Sequence, residues 1–93
     1  MNRLEEILII IQEEAAEVSQ VAAKCLRFGV GSVYNGESNR ERLQQEFGDL
    51  IAMFQLLSEE THFDMDSVER ASRMKLLKVE KYMKNPKKKA SRK

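Results

Sequence analysis

Between residues 2 and 28 the apolar or small residues Leu4, Leu8, Ile11, Ala15, Val18, Ala22 and Cys25 recur at alternating steps of four and three. That spacing is one face of an α-helix. A second stripe, Ile7, Ile10, Val21 and Phe28, runs beside it in phase with Glu14 and Glu17. A first helix over about Asn2 to Phe28 is therefore apolar around more of its girth than one neighbouring helix covers, which predicts that another subunit covers the rest. Three of the four glycines fall in Phe28 to Ser38, FGVGSVYNGES, the one segment of breaker chemistry before the C-terminal stretch. The second helix opens at Ser38, whose hydroxyl and Glu41 form a capping box, and runs to about Glu60 on a stripe of Leu43, Phe47, Leu50, Phe54 and Leu57. Gly48 sits inside it at a cost of about 1 kcal/mol relative to alanine, a place where another helix can approach closely. A third helix begins around Asp64 to Asp66, with Asp66 and Glu69 as its cap, and stops before Asn85-Pro86. Val68, Ser72, Lys75, Val79 and Tyr82 share one of its faces, so Lys75 needs a partner or a task. No repeat and no alternating run long enough for a strand is present. The expected fold is all-α, a helical bundle of three main helices completed by oligomerisation.

Ninety-three residues allow one domain, placed at 1–84, with a basic tail at 85–93. The single cysteine, Cys25, cannot form an internal disulfide and lies on the apolar stripe, so it is read as a packed thiol in a reducing, cytoplasmic compartment. Glu5, Glu6, Glu13 and Glu14 interrupt any signal-peptide layout, and the longest apolar run, Ile7 to Ile11, is far too short for a membrane span. The net charge of +1 hides an asymmetry. Six of the sixteen basic residues lie in Lys84 to Lys93, leaving residues 1–83 with ten bases against fifteen acids. The tail reads as a solvated terminus rather than a nucleic-acid contact, and an acidic body makes a metal cation the more natural partner.

Acids spaced three apart, about 300° around a helix, occur at Glu14 and Glu17 on the first helix and at Glu46 and Asp49 on the second. Glu13 stands four before Glu17, and no basic residue lies within one turn of these first-helix acids. Such pairs repel by a few tenths of a kcal/mol each, and a divalent cation reverses the sign. Among fifteen acids the spacing alone is common. Position says more: all four sit at the edge of an apolar stripe, where carboxylates are costly unless paired or metal-bound. The competing reading is a solvated acidic flank.

Glu13-Glu14-x-x-Glu17, then a glycine-containing loop, then Glu46-Phe47-Gly48-Asp49-Leu50, resembles the EExxE and E(L/F)GDL signatures of the MazG-like all-α nucleoside triphosphate pyrophosphohydrolases. The resemblance extends through Phe63-Asp64, similar to the family's element before its third helix, and Lys75, placed where that helix carries a phosphate-facing lysine. It spans about Leu4 to Tyr82. The family's continuation after the lysine is more basic or contains asparagine, whereas this chain reads Leu76-Leu77-Lys78-Val79. The resemblance implies hydrolysis of a nucleoside or deoxynucleoside triphosphate to the monophosphate and pyrophosphate by a dimer or tetramer with sites near subunit contacts. Mg²⁺, with Mn²⁺ as a substitute, would be held by Glu14, Glu17, Glu46 and Asp49. Glu13 or Glu14 would serve the attacking water, and Lys75 and Lys78 the β or γ phosphate. A hard cation and a polyphosphate call for carboxylate oxygens in this role.

The rival expectation is a non-catalytic helical module that binds protein or nucleic acid through its apolar stripes or tail. Glu59-x-x-His62 has the spacing of di-iron carboxylate bundles, but those need two such motifs and this chain has one histidine, read as a solvent-exposed helix end. Phe28 and Tyr34 flank the glycine loop and are read as packing residues, with stacking on a base as the alternative. The loop matches neither the P-loop nor the dinucleotide pattern.

Overall fold

An Asn2 side chain that accepts from the Glu5 amide, answered by Glu5 accepting from the Asn2 amide, opens α1, Arg3–Phe28. This second capping box was legible as Asn-x-x-Glu, and it moves the first helical residue from Asn2 to Arg3. The structure, a computed structural model, describes residues 1–85. Expectations for Pro86 to Lys93, the bulk of the basic tail, lie outside the described residues. The helix ends where Gly29 takes a φ of +101°, a region open to glycine, and gives its amide to the Cys25 carbonyl.

The loop that follows contains a hairpin absent from the sequence reading. Strand β1, Val33–Tyr34, pairs antiparallel with β2, Glu37–Ser38, across Asn35 and Gly36, both at positive φ. Asn-Gly between two short segments is the usual signal for such a turn. Two-residue strands carry too little alternation for the pattern of the chain to predict them. Asn39, buried at the start of the next helix, locks the loop: its amide nitrogens bond Ser32 O at 2.9 Å from the backbone and Gly29 O at 2.9 Å from the side chain.

Helix α2, Asn39–Thr61, carries the expected Ser38–Glu41 capping box. His62 ends it in the left-handed region and is exposed, as expected of a helix-end histidine. Helices α1 and α2 pack as an antiparallel pair, with Arg3 meeting Glu60 at 3.1 Å at one end and Asn39 holding Gly29 at the other. Both seams differ from the expected stripes. On α1 the buried or half-buried positions are Leu4, Ile7, Ile11, Glu14, Val18, Val21 and Cys25, while Leu8, Ala15 and Ala22 are exposed. On α2 the buried or half-buried heptad positions are Asn39, Leu43, Glu46, Leu50, Met53 and Leu57, with Arg42, Leu56 and Ser58 half-buried beside them, while Phe47 and Phe54 are about half exposed. Both sets step by three and four, the heptad spacing of paired helices. The sequence favoured apolar residues at every step, but the helices turn so that one glutamate from each enters the seam. Gly48 is not a close helix contact within the described residues, for a β-carbon added there meets nothing within 4 Å.

The second unit begins at Phe63 and contains α3, Met65–Tyr82. Its cap is Asp64 rather than Asp66. The Asp64 carboxylate accepts from the Asp66 and Ser67 amides and from the Ser67 hydroxyl at 2.8 Å. These bonds hold Asp64 below the usual carboxylate range. The three helices establish the all-α class, and none of the described helices is long and apolar enough to cross a membrane. Asp64→Ala should cost α3 about 1 kcal/mol, the usual loss of a cap, and Asp66→Ala clearly less. Hydrogen-exchange protection of the α3 amides in the two variants measures the difference.

Candidate metal centre

Fourteen residues apart in the α1 seam, Ile7 and Val21 are the two buried apolar side chains among the described residues, and Glu14 lies midway between them. Its carboxylate is thus carried on the face that packs against α2. One turn on, Glu17 lies at the seam's edge and is exposed. From α2, Glu46 enters the seam at its own heptad position. One carboxylate oxygen from each of Glu14, Glu17 and Glu46 lies within 4.8 Å of the other two. Two helices therefore bring three of the four expected ligands into one cluster, built wholly from residues of the Met1–His62 unit.

The fourth expected ligand, Asp49, is exposed and stands outside that group, yet its charge reaches both seam glutamates. Glu13 is exposed on the outer side and acts on Glu14 through its charge alone. Lys75 and Lys78 stand three apart on α3, both exposed, in the unit that begins at Phe63.

Electrostatics inside the cluster is one-sided. Burial, then the charges of Glu17, Asp49 and Glu13, push the Glu14 carboxyl above the ordinary glutamate value. Glu46 is raised by burial first, next by a hydrogen bond that its protonated form shares with Glu17, and then by the charges of Glu17, Asp49 and Glu14. Every charged group acting on either seam glutamate is another carboxylate. Glu14 Oε2 is sealed from solvent and has no hydrogen-bond partner. A buried acceptor without a donor costs free energy, so this oxygen is held in place against its own solvation.

Chemically, such a cluster binds a cation or shares protons. Acidic groups gather on many protein surfaces without a metal, and the cluster by itself is not a metal site. What sets it apart is the seam position, where a leucine would pack and an ionised pair repels.

Comparison of the chain with profiles of known protein families, with curated proteins and with solved structures finds no match in any of the three.

The raised seam carboxyls bind protons in the folded chain that the unfolded chain has already released, so metal-free stability should fall as pH rises from the ordinary carboxylate range toward neutrality. Glu41 and Asp64, both held low by cap hydrogen bonds, work with the opposite sign and titrate below that window. Thermal melts in a chelator should accordingly show a falling midpoint across the window. Glu46→Gln should flatten the slope and raise the midpoint at neutral pH.

Proposed function

We propose that this chain is a Mg²⁺-dependent pyrophosphohydrolase of nucleoside triphosphates, of the MazG-like type that its motifs resemble. The observation that carries the reading is the seating of Glu14 and Glu46, from different helices, in one packed seam with Glu17 within 4.8 Å. Folding such a seam against like-charge repulsion is costly without a cation, and the orphaned Glu14 Oε2 is an acceptor for which a metal is a natural partner.

Glu14, Glu17 and Glu46 would hold the ion, with Asp49 completing the set from one turn beyond Glu46. Bound there, Mg²⁺ supplies Lewis-acid charge that offsets the anionic triphosphate and its pyrophosphate leaving group. The chain's own residues do the rest. Glu13, exposed beside Glu14, is the candidate to accept a proton from the attacking water, a role Glu14 shares as the alternative. Lys75 and Lys78 are the candidate cations for the β or γ phosphate.

Assembly belongs to the same proposal. With Ile7 and Val21 as the buried apolar side chains among the described residues, the chain alone has a small core. Phe47, Ile51 and Phe54 of α2 are 48%, 64% and 49% exposed and recur at helical spacing. A second copy covering them accounts for both facts, in a dimer or a tetramer. Analytical ultracentrifugation at micromolar concentration should show a dimer or larger. A monomer would leave those residues to a foreign protein and favour the rival reading, a helical docking module.

The enzyme reading is tested with Mg²⁺ and a panel of ordinary and modified nucleoside triphosphates, resolving monophosphate plus pyrophosphate from diphosphate plus phosphate. Glu17→Gln and Asp49→Asn should each abolish turnover with the helical content intact, since each keeps its shape and loses the charge a hard cation needs. Near-normal activity of either variant at saturating Mg²⁺ overturns the ligand set.

A further inference from the structure

Toward the loop end of the α1–α2 pair, a cavity of about 330 Å³ opens between the last turns of α1, the β-hairpin and the first turn of α2. Its size is at the lower end of the range for small-molecule sites, about 300–1,000 Å³. Lys24, Phe28, Ser32, Tyr34, Asn39 and Arg42 line it. Phe28 and Tyr34 are 61% and 75% exposed, so two aromatic side chains border this cavity largely unpacked. The Arg27 guanidinium, 5.2 Å from the Phe28 centroid, already covers one face of that ring. The expectation that these aromatics serve packing is not what their exposure shows.

The charged groups of the cavity are donors. Lysine and arginine can only donate, while the serine and tyrosine hydroxyls can donate or accept. Arg42 is paired loosely, its Nη1 lying 3.9 Å from Glu37 Oε1, while Glu37 Oε2 accepts from Gln45 at 2.9 Å. Asn39 has given its side-chain amide to Gly29 O. Backbone donors at the start of α2 are also spent: Asn39 N on Ser32 O, Arg40 N on Val30 O and Glu41 N on Ser38 Oγ. The helix terminus is therefore not an anion site, and the available donors are side chains. No carboxylate lines the cavity.

Its place along the helices matters as much. Lys24 lies seven residues beyond Glu17, about 10 Å along α1 and nearly on the same face. Arg42 lies four residues before Glu46, about 6 Å along α2. Because the helices are antiparallel, both displacements run toward the loop. The cavity thus sits beside the acidic cluster, at a separation that a ribose can bridge between a base and its phosphates.

We infer that this cavity seats the base of the nucleotide, and that it selects a ring whose exocyclic polar groups are carbonyls alone, uracil, thymine or hypoxanthine, over the amino-bearing cytosine, adenine and guanine. The inference rests on the triphosphate reading of the acidic cluster for its physiological ligand, while base binding itself needs no metal. An apolar cleft edged by two aromatics takes a flat ring, and Lys24 and Arg42 meet carbonyl oxygens. An exocyclic amino group would set donor against donor.

The test uses the full chain, isotope-labelled, in a chelator, titrated with uridine, inosine, cytidine and adenosine and followed by amide and side-chain NMR shifts. Uridine or inosine should shift Ser32, Tyr34 and Asn39 and bind about tenfold or more tightly than cytidine or adenosine. Tyr34→Ala should weaken that binding about tenfold, as loss of a base–aromatic stack does, and Lys24→Gln should narrow the preference between bases. Equal binding of all four nucleosides overturns the selectivity. Shifts that avoid these residues, or inorganic phosphate shifting them where nucleosides do not, overturn the base site. If triphosphates are cleaved with a KM indifferent to Tyr34→Ala and Lys24→Gln, the cavity assignment fails and the enzyme reading stands. If nucleosides bind here with the stated preference and no triphosphate is cleaved, the cavity assignment stands and the enzyme reading fails.

Discussion

Two carboxylates in a helix seam are the constraint around which this chain is arranged. Heptad packing asks for apolar side chains at every third and fourth position, and beyond the polar Asn39 at the start of α2 the seam complies except at Glu14 and Glu46. Those two exceptions lie on facing helices and meet with Glu17 in one cluster. The result is a seam that is apolar toward Ile7 at one end and around Val21 at the other, with concentrated negative charge between. Burial and like charge act in the same direction there, both favouring protons or a cation over free carboxylates.

The loop between the helices keeps that seam in register. Gly29 releases the chain from α1, the Asn35-Gly36 turn reverses it, and Asn39 returns it to α2 with bonds to Ser32 and Gly29. At the far end Arg3 and Glu60 meet, but that pair is exposed and contributes little by comparison. Register matters because a shift of one residue would carry Glu46 about 100° around α2 and out of the seam. The same loop forms the walls of the cavity beside the cluster, so one piece of local structure aligns the acids and shapes their surroundings.

Like-charge repulsion in the seam and apolar exposure on its outside are two aspects of one economy of size. The short helical pair takes Leu43, Leu50 and Leu57 into its seam and leaves out Phe47, Ile51 and Phe54, which lie further round the same helix. It therefore leaves one aromatic face outward. The proposed second copy and the proposed metal ion each relieve one of these costs, and they do so independently.

Capping chemistry and breaker residues in the sequence by themselves determined the three helices and most of their ends, the Asp64 cap of α3 excepted. Ser38 with Glu41 marked the start of α2, Gly29 the end of α1, and the acid pairs at Glu14/Glu17 and Glu46/Asp49 were visible as spacing. These are local interactions, complete within a turn or two of chain. What only the tertiary structure decided was rotation: which stripe of each helix faces the other. The sequence offered α1 the choice of Leu8, Ala15 and Ala22 or Ile7, Glu14 and Val21, and α2 the choice of Phe47 and Phe54 or Glu46 and Met53. Hydrophobicity alone favours the first of each pair. The structure takes the second, because packing is settled jointly by the two helices and the loop that joins them, and no single stripe contains that information.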